Sequence, residues 1–272
     1  MRPGVKATLS IACVLALLAL ILTSTRSHRV SSQKAIALEA AKKRTIQNGP
    51  TAGPHFPNVL PANARIPMID MHVHLSRGGV ARLAQLMPKY GFDHIINLSG
   101  GAPGGILEDQ LLAALSLPGR ITTFTTLDYK QASFPNYGER MAAAVRTAHQ
   151  LGAKGLKIAK VLGLALTDPE GHLIAVDDPK LDPVFEAAGE LDMPIAIHTG
   201  DPRAFWQPVD DKNERADELR AHPGWSLFGV PVPSFDQMLT QLEHRIARHP
   251  HTKFISVHFG NCAEDPDYVT RM

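Results

Sequence analysis

Two histidines, His72 and His74, stand two residues apart in an apolar run that begins near residue 66. Side chains at positions i and i+2 of a β-strand project from the same face, so both imidazoles could reach one cation. Zinc accepts histidine and carboxylate ligands, and a catalytic zinc site keeps one position open for water. Manganese and iron accept the same ligand types, so the residues predict a divalent metal, with zinc as the first expectation.

Two further histidines end apolar runs later in the chain. His198 precedes Thr199 and Gly200, and His258 precedes Gly260 and Asn261. We predict His198 as a third metal ligand, and His258 as a fourth ligand or as a catalytic group beside the metal. A lone histidine pair is weak evidence, but the recurrence of histidines at the ends of such runs favours a metal centre. By contrast, His249 is expected to be solvated at a helix end.

Other candidates surround these histidines. Lys157 lies in an apolar run, in the phase that would face inward, and could bind a substrate carboxylate or pair with an acid. Asp201 follows His198 on a Pro-rich loop and is a candidate catalytic group. Asp201, Arg203 and Trp206 lie on this loop, and loop residues are as often ordinary surface residues as functional ones. The candidate substrate-binding residues are Arg203, Trp206 and Asn261.

The elements that would position these residues alternate between short apolar strands and amphipathic helices. Strands are predicted at 68–75, 94–98, 121–127, 154–158, 194–198 and 253–259, and helices at 80–90, 107–115, 137–151, 181–191 and 235–248. Strict alternation predicts an α/β fold with a parallel sheet covered by helices. Each candidate histidine lies toward the C-terminal end of its predicted strand, where the active sites of TIM barrels are built.

Strand phase gives a finer prediction, because successive side chains point to opposite faces. The large aliphatic phase should pack on helices, and the small or polar phase should face a barrel interior. The outward phase comprises Met71, Val73, Leu75, Leu156, Ile158, Ile195, Ile197, Ile255, Val257 and Phe259. The inward phase comprises Asp70, His72, His74, Gly155, Lys157, Ala159, Ala196, His198, Ser256 and His258.

Composition and the N-terminus limit the class of protein. The chain has 272 residues, 44% of them hydrophobic, and a formal net charge of +2, which gives no basis for nucleic-acid binding. Two cysteines cannot form a disulfide framework. Arg2 and Lys6 precede an apolar run at 7–22, which predicts a signal peptide or an uncleaved signal-anchor at 1–26. Export to the periplasm or the cell exterior is therefore expected, with a linker at 27–65, a short helix at 35–43 within it, and the barrel domain at 66–272.

The ordered set of Asp-Met-His-Val-His at 70–74, His-Thr-Gly at 198–200 and Val-His-Phe-Gly at 257–260 resembles the amidohydrolase superfamily. It is most similar to the amidohydrolase-related branch that includes the aminocarboxymuconate-semialdehyde decarboxylase group. The resemblance implies a (β/α)8 TIM barrel, of which about six βα units are present. It also implies a divalent metal held by His72, His74 and His198, with His258 following. In some members a carboxylated lysine of the fourth strand bridges two metals, which makes Lys157 a candidate ligand.

That resemblance implies a metal-dependent hydrolase, in which activated water cleaves a C–N or C–O bond of a small carbonyl substrate and His258 stabilises the oxyanion. The same barrel hosts metal-dependent decarboxylases, which is the alternative. The family's aspartate at the end of the eighth strand has no counterpart here, so a C-terminally truncated chain is expected. A third alternative is an exported binding domain or an inactive fragment. Substrate and oligomeric state stay open, a homo-oligomer included.

Overall fold

The computed structural model describes residues 30–43, 65–76, 78–263 and 265–271. The predicted signal segment at 1–26 lies outside these ranges, as does most of the predicted linker. Within the described ranges, no helix has both the length and the hydropathy needed to cross a bilayer.

Six parallel strands form one sheet whose spatial order follows the chain. They are β1 (Met68–Val73), β2 (Phe92–Asn97), β3 (Ile121–Thr126), β4 (Gly155–Ile158), β5 (Ile195–Ile197) and β6 (Phe254–Ser256). The helices are α1 (30–43), α2 (Gly79–Tyr90), α3 (Leu107–Ala114), α4 (Tyr137–Leu151), α5 (Val161–Leu164), α6 (Asp182–Glu190), α7 (Ala216–Ala221), α8 (Phe235–Arg248) and α9 (Pro266–Arg271). Sequential parallel strands with helical crossovers make a curled, TIM-type half-barrel, which confirms the predicted fold class.

The outer core lies between the sheet and its helices. Leu156 and Ile158 of β4 and Ile195 and Ile197 of β5 are all buried in it, as their phase predicts. Helix α8 begins with a reciprocal cap, in which the Ser234 hydroxyl accepts from the Gln237 amide and the Gln237 side chain accepts from the Ser234 amide. This cap fixes where α8 starts, and Met238 and Leu242 of the helix lie in the outer core.

The concave side of the sheet has a small core of its own. Leu98, Phe124, Ala196 and Val257 are buried there together. A β-carbon built on Gly155 would lie 2.4 Å from the Phe124 ring, so this ring fills the space above β4. Only glycine leaves room for it, because real side chains do not approach so closely.

The predicted phase of β6 is wrong. Ile255 and Val257 pack on the concave side, and it is Phe254 that packs against the outer core. The pairing register explains this, because Ile255 is level with the inward-facing Ala196 of β5, and neighbours in register share a face. The strand also ends at Ser256, earlier than predicted, and the chain then turns.

Met71 is a second departure from the predicted phase. The pairing of β1 with β2 places Asp70 opposite Ile95 and Val73 opposite Asn97, so β1 has one extra residue between these positions. Such a bulge interrupts strict alternation. Met71 is consequently 50% exposed and lines a small cavity on the concave side of the sheet. Val73 packs on the outer side as expected.

Helix α1 packs against the folded domain. Leu38 is fully buried in the outer core, and the Lys34 ammonium lies 2.7 Å from the Asp109 carboxylate. The Ser31 hydroxyl donates to Glu108 at the start of α3, and Lys42 donates to the Leu151 carbonyl at the end of α4. Since helices return antiparallel to the strands, Ser31 lies at the face formed by the C-terminal strand ends and Lys42 lies at the opposite face.

His249 is buried, so the expectation that it is solvated is wrong. Its ring stacks on Phe185 at 5.3 Å between centroids, and its Nε2 accepts from Arg245 at 3.0 Å. Arg245 is itself fully buried, lies over the same Phe185 ring and donates to the Asp182 carboxylate and the Val176 carbonyl. This cluster joins α8 to α6 and to the loop that precedes α6.

Candidate metal centre

Four histidines meet at the C-terminal ends of the strands. The Nε2 atoms of His72 and His74 are 3.1 Å apart. The His258 ring stacks on His72 at 5.1 Å and meets His198 edge to face at 4.9 Å between centroids. The histidines predicted from β1, β5 and the segment after β6 therefore form one cluster.

Ser99 orients His74. The Nδ1 of His74 lies 2.7 Å from the Ser99 hydroxyl, and when this nitrogen is the donor, Nε2 carries the free lone pair toward His72. Partners of this kind fix the ring orientation of metal-binding histidines. Ser99 lies just beyond β2, outside any motif, and sequence reasoning missed it. Asp70 has a local role, accepting a hydrogen bond from the His72 amide at 3.0 Å.

His258 reaches the cluster through a left-handed turn, not through strand alternation. Its φ is +56°, and those of Phe259, Gly260 and Asn261 are +53°, +65° and +61°. This conformation costs non-glycine residues roughly 1–2 kcal/mol each, so surrounding contacts must impose it. Asn261 supplies such contacts, because its side-chain amide donates to the carbonyls of Thr199 and Gly200 at 2.8 and 3.1 Å. The predicted site residue Asn261 thus joins the turn to the end of β5.

Lys157 projects into the histidine cluster, as its phase predicts. Its ammonium is buried without a hydrogen-bond partner among the described residues, and burial lowers its pKa to about 8. The pKa of His72 is lowered to about 4 and that of His198 to about 3. Burial is the largest cause of both shifts, and the positive charge of Lys157 is the second largest. The imidazoles are therefore neutral at pH 7, which is the form that binds a metal.

A cavity of about 330 Å³ opens beside the cluster. Lys160 lies on its wall, and its ammonium is 2.6 and 2.7 Å from the two carboxylate oxygens of Asp201. Burial raises the pKa of Asp201, and Lys160 opposes that rise. Strand periodicity places Lys160 out of phase, but β4 ends at Ile158 and the chain turns before Lys160. The other lining residues are His198, Pro202, Phe205, Arg215, Glu218, Trp225, His258, Asn261 and Ala263.

Arg203 and Trp206, predicted to bind substrate, lie on the other side of the same loop. Arg203 pairs with Asp236 at 2.9 Å and lies over the Phe235 ring, at the start of α8. The Trp206 indole donates to the Pro233 carbonyl at 2.9 Å and also packs on Phe235. Neither is among the residues that line the cavity, so both stabilise the loop on α8 in this structure.

The donor set fits a divalent metal, although it is not a complete preformed site. Among the described residues, no three His, Cys, Asp or Glu side chains converge closely enough to hold an ion. The His72 and His74 nitrogens, 3.1 Å apart, could both lie about 2.0–2.1 Å from one zinc ion. His198 and His258 place further imidazoles beside that pair, and the unpartnered Lys157 lies next to them.

Comparison with solved structures finds several similar chains. A putative amidohydrolase from Staphylococcus aureus is 17% identical, with a TM-score of 0.48 over 76% of this chain and 71% of that one. The 5-carboxyvanillate decarboxylase of Novosphingobium aromaticivorans, solved with bound manganese, is 21% identical, with a TM-score of 0.40 over 72% of this chain and 53% of that one. The 2,6-dihydroxybenzoate decarboxylase of Rhizobium is 18% identical, with a TM-score of 0.38 over 63% and 53%.

This chain thus spans about half the length of these two decarboxylases. No curated protein sequence matches it. The family model described as amidohydrolase matches residues 69–271, about three quarters of the chain, which includes all four histidines of the cluster. The chain belongs to the amidohydrolase family.

Proposed function

We propose that this protein is a metal-dependent hydrolase that cleaves a C–N or C–O bond of a small carbonyl substrate. The observation that carries the metal-dependent part of this proposal is the 3.1 Å approach of the His72 and His74 Nε2 atoms beside two further neutral imidazoles. So close an approach of two neutral imidazoles is energetically favourable when the lone pairs of both nitrogens point at one cation. Zinc is the first expectation for that cation, with manganese and iron as alternatives.

The chain's own residues have separate roles in this proposal. His72, His74 and His198 would hold the metal, and Lys157 would join them as a ligand or hold a substrate carboxylate. A bound divalent metal supplies Lewis acidity toward a substrate oxygen and makes water a nucleophile near neutral pH. His258, at the edge of the cavity, would stabilise negative charge on the substrate oxygen.

Asp201 is the proposed general base. Its carboxylate faces the cavity wall beside His198 and His258, and Lys160 opposes the protonation that burial favours. A carboxylate that pairs with an ammonium and lies at the wall of a substrate-sized cavity can accept a proton from water or from substrate. Asn261 is assigned to substrate binding at the same wall.

Decarboxylation is the second candidate, and Lys157 favours it. Its buried ammonium has no hydrogen-bond partner among the described residues, which suits the carboxylate of a substrate that loses carbon dioxide. The metal site would be the same for both reactions, so the residues that bind the metal do not discriminate between them.

The test uses the full chain, purified with zinc or manganese, and measures bound metal by mass spectrometry. Lactones, amides and aromatic carboxylates are then offered in heavy-oxygen water. Hydrolysis puts heavy oxygen into the organic product, whereas decarboxylation releases carbon dioxide and leaves an organic product without heavy oxygen. A His72→Ala/His74→Ala variant should lose metal and activity, and His172→Ala, which alters a largely exposed histidine, should lose neither. A chain that binds no metal would contradict both candidates and favour a non-catalytic binding domain.

A further inference from the structure

The loop between α7 and α8 exposes an apolar surface to which the proposed chemistry assigns no role. Residues 222–233 contain no Asp, Glu, Lys or Arg. Trp225, Phe228 and Val230 are 47%, 56% and 44% exposed, so three large apolar side chains face water within six residues. We call residues 222–233 the apolar loop. Clustered exposure of this kind marks a surface that meets a protein or a membrane.

The apolar loop is held in place by the rest of the fold. The Leu227 amide donates to the Phe205 carbonyl at 2.8 Å, and the Trp206 indole donates to the Pro233 carbonyl at 2.9 Å. The Trp225 ring stacks on His222 at 4.1 Å between centroids. These contacts hold the backbone of the loop in place. Its apolar side chains therefore stay exposed to solvent and do not fold back onto the domain.

The apolar loop lies on the face of the barrel that holds the candidate active site. It follows β5, and Trp225 lines the cavity together with Lys160 and His258. Ser31, near the start of the described part of α1, lies at this same face, because it contacts Glu108 at the start of α3. The described chain therefore starts, at residue 30, on the same face of the barrel as the apolar loop.

The length of that preceding segment limits its reach. Only seven residues, 23–29, separate the apolar run at 7–22 from the described part of α1, and seven residues span at most about 25 Å. A membrane-embedded run at 7–22 would therefore hold this face, and not the opposite one, close to the bilayer. Aromatic and aliphatic side chains displayed toward a bilayer enter the boundary between headgroups and acyl chains.

We infer that the apolar loop docks on a lipid bilayer, so that the mouth of the active-site cavity faces the membrane surface. Trp225, Phe228 and Val230 would enter the headgroup boundary, with the uncharged loop backbone at the headgroup level. The absence of lysine and arginine from the loop makes this contact depend on apolar burial and not on anionic lipid.

Tryptophan emission tests this directly, because the chain has two tryptophans, Trp206 and Trp225. The full chain is reconstituted into phosphatidylethanolamine and phosphatidylglycerol vesicles, with or without a doxyl quencher near the headgroup. We expect the quencher to reduce Trp225 emission about twofold or more, since the ring would lie within the quencher's layer. The Trp225→Phe variant emits from Trp206 alone, so the difference between the two spectra gives the emission of Trp225.

A matched pair of variants separates the loop from the anchor. Phe228→Ser/Val230→Ser should reduce the lipid quenching of Trp225. Tyr90→Ser should not, although Tyr90 is also 56% exposed, because it ends α2 at the opposite face of the barrel. Quenching of Trp225 by aqueous iodide but not by doxyl lipid would overturn the inference. Protection of Trp225 that rises with protein concentration in detergent would overturn it too, in favour of a second copy of the chain.

Discussion

The Lys160 ammonium lies 2.6 and 2.7 Å from the two carboxylate oxygens of Asp201, at the wall of the cavity beside His198. Asp201 is largely buried, and burial alone raises the pKa of its carboxyl group. Lys160 works against this rise, so the pair sets the pH range in which Asp201 is ionised. Lys160→Met should raise the pKa of Asp201 further and shift the acidic limb of the pH–activity profile to higher pH. Lys160→Arg should largely keep the original profile, and an unchanged profile in Lys160→Met would remove Asp201 from the proposed base role.

Ser99 should tune metal affinity without being a ligand. Its hydroxyl lies 2.7 Å from His74 Nδ1, and loss of such a partner typically weakens metal binding about 10–100-fold. Ser99→Ala is therefore expected to need about 10–100-fold more free zinc for half-saturation, measured by competition with a chelating dye. His74→Ala should weaken zinc binding more than Ser99→Ala does. If Ser99→Ala and the unaltered chain bind zinc with equal affinity, Ser99 does not orient the His74 ring.

Gly155 is required by the ring of Phe124. A β-carbon at this position would lie 2.4–2.5 Å from three ring atoms, so Gly155→Ala forces Phe124 to move. Overpacking of this kind costs about 1–3 kcal/mol in the free energy of unfolding, measured by urea denaturation. Phe124→Leu in the same chain should recover part of the loss. Gly224→Ala is the matched control and should be close to neutral, because nothing lies within 4 Å of its added carbon.

Arg245 should be among the most sensitive positions for stability. It is fully buried and donates to Asp182 and to the carbonyls of Val176 and Asp178. Arg245→Met leaves a carboxylate and two carbonyls without this partner, and breaking a buried pair costs about 3–5 kcal/mol. Arg220→Met removes a solvent-exposed pair with Asp211 and should destabilise the fold far less in the same denaturation experiment. Similar losses in the two variants would contradict the structural role assigned to Arg245.

His249 should make the fold sensitive to mild acid. Burial, followed by the charge of Arg245, holds the pKa of His249 below its usual value of 6.5. The unfolded chain therefore takes up the proton first, so the stabilising contribution is complete above about pH 6.5 and is lost as pH falls toward the folded pKa. The urea midpoint should fall between pH 7 and pH 5, and His249→Gln should flatten this part of the curve.

Asp182 contributes in a separate and more acidic range. Burial raises its pKa, but hydrogen bonds from Arg248 and Arg245 outweigh burial and hold the pKa below 3.8. Stability from this group is lost only as pH falls below that value, so it does not explain a loss between pH 7 and pH 5. A His249→Gln variant with an unchanged slope in that interval would show that another group controls it.

The alternation of strands and helices, and the membership of the histidine cluster, follow from the amino-acid sequence alone. Hydrophobic periodicity predicts six strands and five helices within a few residues of their observed bounds, because local patterns of period 2 and 3.6 are properties of the chain itself. Parallel strands bring their C-terminal ends to one edge of a sheet, so the pattern also groups His72, His74 and His198. The same alternation predicts the position of Lys157, in a strand whose neighbours hold its register.

How the remaining groups reach the site depends on packing between elements that are distant along the chain. A bulge in β1 turns Met71 inward, and the register of β6 against β5 reverses the expected phase of Ile255 and Val257. His258 arrives through a left-handed turn that Asn261 stabilises, and Lys160 arrives through a turn after β4. His249 is buried because the Phe185 ring of α6 covers it. The energy of such tertiary contacts outweighs local backbone preference without leaving a pattern in the local sequence.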